Sequence, residues 1–199
     1  MIVLVVLAAG MSKRYGRNKL LERVNGRTII RKVVEESVKS KADEVVVVVG
    51  FEAEKIINEI KDLPVIPVYN ENYMEGMSSS VKVGTRKAIE LNANAVMILP
   101  ADNLLIKSKT IDKVIDAYYK TKGLIVVPRF KGKRGHPILF DKKLFDEILM
   151  ISEETQGLKY VVRKYSDKII DVEVGSPEIY IDIDVPEDLE KLKKSGLLK

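Results

Sequence analysis

Small and basic residues are concentrated directly after the first apolar run of the chain, in LAAGMSKRYGRNK (residues 7–19). Small residues let backbone amides approach a ligand closely. Oriented amides together with Arg and Lys side chains favour a group that carries several negative charges. The segment therefore predicts a phosphate-binding loop, rather than an ordinary turn with solvated basic residues, and the residues expected to bind are Leu7, Ala8, Ala9, Gly10, Ser12, Arg14 and Lys19.

Two familiar phosphate motifs do not describe this loop. G-x-x-x-x-G-K-[ST] does not fit, because Gly10 and Gly16 are six positions apart and Arg17 follows. G-x-G-x-x-G does not fit either, since Gly10 is followed by Met11 and Ser12. The second mismatch argues against a dinucleotide oxidoreductase.

The apolar run that precedes the loop has two interpretations, a secretory signal or a first β-strand. A signal requires positive charge before the apolar stretch, whereas the first charge here is Lys13. No apolar run approaches the about 20 residues that span a membrane. We therefore expect residues 1–7 to form a buried strand of an intracellular, cytoplasmic protein without a membrane partner.

Composition narrows the class of protein further. The 199 residues are 46% hydrophobic, which suits one domain over 1–199 with a real core. The absence of cysteine excludes disulfides, thiolate nucleophiles and zinc-thiolate sites. A net charge of +5 suits an anionic ligand, but aromatic residues make up only 6% and offer no stacking platform. No nucleic-acid partner is expected.

Apolar runs alternate with helical patterns through most of the chain. Near-continuous Val/Leu runs are typical of strands buried on both faces of a parallel sheet, and they occur at 3–10, 44–50, 64–70, 93–100 and 123–128. Helical spacing relates Ile29, Ile30, Val33, Val34 and Val38, then Ile56, Ile57 and Ile60, then Ile111, Val114, Ile115 and Tyr118. The alternation predicts an α/β fold with a doubly wound, mostly parallel sheet, Rossmann-like in organisation.

The pattern changes after Pro128. RFKGKRGHPILF (129–140) predicts a loop or hairpin entering a short strand, and two short helices are expected near 141–150 and 155–165. This forms a small β-hairpin and helical insertion. IYIDID (179–184) alternates strictly, which predicts an extended segment with its isoleucines on one face. Pro186 then begins a final helix.

Ligands of open α/β sheets bind at the carboxyl edge of the strands. The loop 8–19, the loop 76–80, Asp102 and Asp184 all fall at that edge. Asp102 follows a strand and is a candidate metal ligand, with a turn residue of PADN as the alternative. Asp184 is a weaker candidate, because Asp184 to Glu187 also fits a helix capping box. Asp182 is weaker still.

Three serines and one histidine complete the candidates. Ser78, Ser79 and Ser80 follow Gly76; one serine suffices as a helix cap, so three indicate contacts to a base, ribose or phosphate. His136 is the only histidine, and no residue pattern makes it a general base. The neighbouring basic residues, Arg134 among them, are either a solvated rim or a means of steering an anion inward.

Residues 7–19 resemble the signature loop L-A-A-G-M-S-x-R-x-G-x-x-K of nucleotidyltransferases that activate small phosphorylated molecules with an NTP. The similarity is closest to the molybdenum cofactor cytidylyltransferases, relatives of the molybdopterin-guanine dinucleotide synthases. GMSSSVKVG (76–84), RGHPILF (134–140) and DIDVPEDL (182–189) resemble further blocks of this family, in family order across nearly the whole chain. Family cytidylyltransferases carry Asp-Gln-Pro where this chain has Asp102, Asn103 and Leu104, a departure that concerns the substrate rather than the metal.

The resemblance implies an enzyme with Arg14, Lys19 and Asp102 as catalytic residues. Arg14 would hold the β- and γ-phosphates, Lys19 the α-phosphate, and Asp102 with Asp184 a Mg²⁺ ion. Gly76 and the three serines would contact the nucleotide, and His136 with Arg134 would face the acceptor. The order Ala8-Ala9-Gly10 favours CTP, because guanylyltransferases have Ala-Gly-Gly there. The acceptor would be the molybdenum cofactor, with transient contact to a molybdoenzyme or its chaperone.

Two alternatives stay open at this point. The family exchanges acceptors on one nucleotide scaffold, so a sugar, alditol or cobinamide phosphate is the alternative acceptor. A nucleotide-binding accessory protein of a molybdoenzyme, without transfer activity, is the alternative from another functional class.

Overall fold

Strands and helices alternate along the chain, and the computed structural model describes residues 1–198. The strands are β1 (Ile2–Ala8), β2 (Arg23–Val24), β3 (Arg27–Thr28), β4 (Glu44–Val49), β5 (Ile66–Tyr69), β6 (Ala95–Pro100), β7 (Ile125–Phe130), β8 (Lys133–Arg134), β9 (Ile138–Asp141) and β10 (Ile169–Glu173). The α-helices are α1 (Ile29–Val38), α2 (Ala53–Ile60), α3 (Met77–Glu90), α4 (Ser108–Thr121), α5 (Phe145–Leu149), α6 (Leu158–Lys164) and α7 (Pro186–Lys194).

One sheet organises the molecule, in the order β10-β7-β9-β6-β1-β4-β5, with β8 beside β7. Strands β1, β4, β5 and β6 pair in parallel, as do β7 and β10. Strand β9 runs antiparallel to both of its neighbours, β6 and β7. The fold is therefore the predicted α/β fold with a mostly parallel sheet.

Two cores, one on each face of the sheet, explain the continuous apolar runs. Leu4 and Val6 of β1 pack into one core and Val3 and Val5 into the other, and all four are fully buried. Helices α1, α2, α4 and α7 contribute to the first core, and α3, α5 and α6 to the second. The strand is apolar at every position because neither face meets water.

The region after Pro128 agrees with prediction in its hairpin and helices. Strands β7 and β8 form the hairpin, β9 the strand that follows, and α5 and α6 the two short helices. The final helix, α7, begins at Pro186 as predicted.

The prediction for residues 179–184 is wrong. Pro177–Tyr180 forms a 3₁₀ helix, and no strand follows it before α7. The Ser176 hydroxyl accepts a hydrogen bond from the Glu178 amide, and Pro177 begins the turn, so local capping overrides the alternating pattern. Ile179 and Ile183 are nevertheless fully buried. Strand β10 was not predicted at all.

None of the helices within residues 1–198 combines the length and the apolar character needed to cross a membrane.

Candidate functional site

The loop after β1 is shaped by Ser12. This residue adopts a left-handed conformation, with φ of 50°, and its carbonyl accepts from the amides of Tyr15 at 2.9 Å and Gly16 at 3.2 Å. Its hydroxyl accepts from the Lys19 amide at 3.3 Å. Ser12 thus closes the loop on itself and fixes where Lys19 leaves it.

The same loop keeps donors and space available for a ligand. In the described part of the chain, the amides of residues 11–14 donate to no protein acceptor. A Cβ built on Gly10 would meet nothing within 4 Å. Free amides beside empty space suit the oxygens of a phosphate chain.

Two carboxylates from distant segments converge on the Lys19 ammonium. Its Nζ lies 2.6 Å from Asp102 Oδ2 and 3.5 Å from Asp184 Oδ1. It also donates to the carbonyl of Ile183 at 2.6 Å. Arg14 reaches Asp184 Oδ1 at 2.9 Å. The structure therefore brings together the four charged residues, Arg14, Lys19, Asp102 and Asp184, that the sequence nominated for phosphate and metal binding.

Asp184 does not cap the last helix. The Asp188 carboxylate does so instead, accepting from the amides of Asp184 at 3.0 Å and Val185 at 3.1 Å. The capping alternative for Asp184 is therefore wrong. Its side chain is left to face Arg14 and Lys19.

The donor set fits a hard divalent cation that is shared with a ligand. Oxygens of Asp102, Asp184 and the Ile183 carbonyl already surround one cation, the Lys19 ammonium. Within residues 1–198, no group of three or more His, Cys, Asp or Glu side chains is arranged to hold a metal on its own. In general, proteins bind Mg²⁺ with a partial set of their own ligands: one or two carboxylates bind the ion, and the phosphates of a substrate complete its coordination.

Asn103 is a site residue that the sequence analysis did not nominate. It is fully buried, and its Nδ2 donates to Asp182 Oδ1. Desolvation raises the pKa of the Asp182 carboxyl, and the nearby charge of Asp102 raises it further. The signal was present in PADN, where an amide follows the metal candidate, but burial of that amide is visible only in the structure.

The three serines at the start of α3 have different surroundings. Ser79 Oγ lies 2.8 Å from the carbonyls of both Asn72 and Gly76, and Asn70 Nδ2 donates to it at 2.8 Å. Ser79 thus connects the start of α3 to the segment 70–76 that precedes it, and it does not line either cavity. Ser80 lines one cavity and Ser78 the other.

Two adjoining cavities flank this helix start. The first, of about 460 Å³, is lined by the loop after β1 with Leu7, Ala9, Gly10, Ser12, Arg14 and Lys19, and by Tyr73, Gly76, Ser80, Asp102 and Asp184. The second, of about 750 Å³, contains Ser78, Arg134, His136, Glu153 and Asp182 in its wall. Met77 and Pro100 belong to both walls, so the cavities meet there.

His136 and Arg134 both line the second cavity, but they differ in charge and in whether their polar atoms are paired. Burial lowers the pKa of the His136 imidazole, so the ring is neutral at pH 7, and its Nδ1 has no partner among the described residues. Arg134 forms a bidentate pair with Asp171, at 2.6 and 2.9 Å. Its guanidinium is thus already engaged, which the sequence did not reveal.

The wall that carries Glu153, Gln156 and Gly157 was also missed, because a polar loop between two short helices has no distinguishing pattern. Its position against α3 follows from tertiary packing alone.

A family model described as a MobA-like NTP transferase domain matches residues 4–169. The chain belongs to this family. The resemblance seen in residues 7–19 and in the later blocks is thereby confirmed at the level of the NTP transferases.

Relatives of the chain carry several functional names. It is 30% identical over 171 residues to a probable UDP-N-acetylglucosamine pyrophosphorylase of Acanthamoeba polyphaga mimivirus, covering 79% of this chain and 65% of that protein. It is 25% identical to a probable molybdenum cofactor guanylyltransferase of Thermococcus sibiricus, over 95% and 96% of the two chains. It is 26% identical to nicotine blue oxidoreductase of Paenarthrobacter nicotinovorans, over 94% of each.

Solved structures share the fold. Rv0371c of Mycobacterium tuberculosis H37Rv aligns with a TM-score of 0.84 and 22% identity over 97% of each chain. A complex of the same protein with manganese aligns at 0.77 with 21% identity, over 98% of each chain. A nucleotidyl transferase of Methanothermobacter aligns at 0.83 with 21% identity, over 99% of this chain and 98% of that one.

Proposed function

We propose that the protein transfers a nucleoside monophosphate from an NTP to a phosphorylated small-molecule acceptor. The observation that carries the proposal is the meeting of Arg14 and Lys19 with Asp102 and Asp184, at 2.6 to 3.5 Å, beside a loop with free amides. Membership of the NTP transferase family supports the same reaction class.

The reaction balances without covalent participation of the protein. An oxygen of the acceptor phosphate attacks the α-phosphorus, the bond from that phosphorus to the bridging oxygen of the β-phosphate breaks, and pyrophosphate leaves with the electron pair. Such a transfer requires mainly positioning and stabilisation of charge. The loop amides and Arg14 bind the β- and γ-phosphates, and Lys19 neutralises charge at the α-phosphate.

Asp102 and Asp184 would hold the divalent cation, with magnesium as the proposed ion. When bound, the ion would neutralise charge on the phosphates. The manganese complex of a structural neighbour supports a divalent cation in this fold. Lys19 pairs with both carboxylates and Arg14 pairs with Asp184, so two positive charges offset the two negative charges before substrates arrive.

CTP is the proposed nucleotide and GTP the alternative. Ala9 lines the first cavity, and its methyl group lies 2.9 Å from the position that a Cβ on Gly50 would take. A methyl group at this position leaves less room for a purine base than a glycine would, which favours CTP. The guanylyltransferase names of several relatives favour GTP instead.

Molybdopterin is the proposed acceptor, on the strength of the relatives named for molybdenum cofactor transfer. A hexosamine phosphate is the second candidate, because the 30% identical viral relative is named as a sugar-nucleotide pyrophosphorylase. Contact with a molybdoenzyme and a cytoplasmic location stay predictions.

Pyrophosphate release tests the proposal. The protein is assayed with Mg²⁺ and each of CTP, GTP, ATP and UTP, against molybdenum cofactor and a panel of sugar phosphates. Release with CTP and the cofactor supports the full proposal. Release with GTP, or with a sugar phosphate alone, corrects the base or the acceptor and keeps the transfer chemistry. Binding of nucleotide without release under any pairing supports the accessory-protein alternative.

Asp102→Asn sharpens this test. The substitution removes charge at the metal position and is expected to lower kcat by about 10²–10³-fold, while nucleotide binding persists. Asp146→Asn is the matched control, since Asp146 is exposed and lines neither cavity. Equal turnover of the two variants would contradict the assignment of Asp102.

A further inference from the structure

A loop at residues 152–157 lies against the first turn of α3. Within it, Glu153 Oε1 accepts a hydrogen bond from the Ser78 amide at 2.7 Å. The contact is close, because a Cβ on Gly76 would lie 2.6 Å from carbons of the Glu153 side chain. A carboxylate therefore occupies the start of a fourteen-residue helix, where unpaired amides and the helix dipole favour an anion.

The neighbouring Ser78 hydroxyl has no partner. Its residue is only 4% exposed, and Oγ makes no hydrogen bond within residues 1–198. Oγ points towards the loop, 3.1 Å from where a Cβ on Gly157 would lie. An unsatisfied buried hydroxyl is unfavourable, and here it leaves a hydrogen-bond donor unused beside the Ser78 amide.

The surroundings suit a negatively charged ligand larger than a carboxylate. Ser78, Glu153 and Gly157 all line the second cavity, and so do Lys159 and Arg163 at the start and end of α6. Arg163 donates to Gln156 Oε1 at 2.6 Å and thereby holds the loop from its other side. Two cationic side chains thus line the same cavity as the start of α3.

We propose that Glu153 occupies an anion site at the start of α3, and that the anionic group of the acceptor displaces it. The inference rests on the proposed function for its ligand, a phosphate monoester. Glu153 satisfies one donor, the Ser78 amide. A phosphate has three acceptor oxygens and more charge, so it binds the amide and the Ser78 hydroxyl together.

Displacement also frees the loop 152–157 from α3. Residue 77 lies in both cavity walls, directly before Ser78, so an anion held there stands at the junction of the two cavities. The site would hold the acceptor's phosphate on the side from which it meets the nucleotide. Glu153 keeps that place neutralised until the acceptor arrives.

Titration with inorganic phosphate, followed by the amide resonance of Ser78 in ¹H–¹⁵N NMR spectra, tests the proposal. Glu153→Ala removes the competing carboxylate, and half-saturation of the Ser78 shift is expected at about tenfold lower phosphate. Glu154→Ala is the control, because it makes the same change of charge on an exposed adjacent residue. Glu153→Gln should reach half-saturation at a phosphate concentration between those of the unsubstituted protein and Glu153→Ala. The dispersion of resonances in the same spectra shows whether each variant is folded.

Ser78→Ala in the Glu153→Ala background should reverse most of the gain, because one of the two donors is lost. An unmoved Ser78 resonance in the Glu153→Ala protein, or an equal gain in Glu154→Ala, would overturn the proposal. Failure of the proposed function is seen separately, as absent NTP-induced shifts at residues 10–14. Phosphate can shift the Ser78 resonance whether or not NTP shifts the resonances of residues 10–14, so the two proposals fail independently.

Discussion

The two cavities differ in how their polar groups are satisfied. In the first, opposite charges neutralise one another, as Lys19 does with Asp102 and Arg14 with Asp184. The second holds buried polar atoms without partners: Ser78 Oγ and His136 Nδ1 belong to residues in its wall. The third unpartnered atom of the described residues, Asn103 Oδ1, belongs to the side chain that donates to Asp182 in that wall.

This difference indicates two kinds of preorganisation. A charged cavity, proposed to bind a triphosphate and a cation, can hold its charges in mutual pairs until these ligands replace the pairs. A cavity proposed to bind a phosphorylated acceptor can instead keep buried donors and acceptors unpaired for the ligand, since buried polar atoms are otherwise nearly always hydrogen-bonded. The polar chemistry of the second cavity thus becomes complete only with its ligand.

Arg14→Ala is expected to have the largest effect on ligand binding, and this effect should be confined to the first cavity. Loss of a charge-assisted phosphate contact should weaken NTP binding by about 10–100-fold, with little change in acceptor binding. Titration calorimetry with NTP measures it. Arg17→Ala is the control, because Arg17 lies in the same loop, pairs with Glu22 on the surface and lines neither cavity. An acceptor-specific defect in the Arg14 variant would break the division between the cavities.

Gly135→Ala tests the wall of the second cavity. A Cβ on Gly135 would lie 2.1 Å from the carbonyl oxygen of Ile179, which accepts from the His136 amide at 2.6 Å. Forced separation of these segments should lower the free energy of unfolding by about 1–3 kcal/mol. Urea denaturation measures the change. Gly175→Ala, with nothing within 4 Å of its Cβ, should leave stability nearly unchanged, and equal losses would refute the packing argument.

The smallest predicted effect is a pH dependence from His136. Its pKa lies below the ordinary value because of burial, so the unfolded chain binds a proton that the folded protein does not. The contribution of the neutral imidazole to the free energy of unfolding is therefore complete above the pKa of His136 in the unfolded chain. It is lost as the pH falls from that value to the lower pKa of the folded protein. Comparison of melts at pH 7.5 and 5.5 should show a smaller loss for His136→Gln than for the unsubstituted protein. An identical loss would mean that His136 is not held neutral by the second cavity.

Much of the first cavity was predictable from the chain alone. The loop of residues 7–19 is contiguous, and Asp102 follows a recognisable buried strand. Parallel strands bring their carboxyl ends to one edge, so the meeting of Lys19 with Asp102 follows from fold class. Asp184 was less certain, because its capping role could be dismissed only when Asp188 was seen to take it.

The second cavity was less predictable because its wall comes from separated segments. The alternation of IYIDID matches a strand, yet Ser176 and Pro177 start a 3₁₀ helix and the segment packs on Gly135. Arg134 lines the second cavity, and the sequence did not reveal that its guanidinium also pairs with Asp171 of the unpredicted strand β10. The contact of Glu153 with α3 also depends on packing between parts that no local pattern relates.

The amino-acid sequence by itself determined the fold class, the loop after β1 and the charged residues at one edge of the sheet. These depend on periodicity, on contiguous motifs and on strand direction, which are local or follow from topology. Only the tertiary structure decided which hydroxyls are used internally, as at Ser79, and which are left unpaired, as at Ser78. The hydrogen-bond partner of a buried polar atom depends on how distant segments pack together, and this cannot be read from the pattern of residues along the chain.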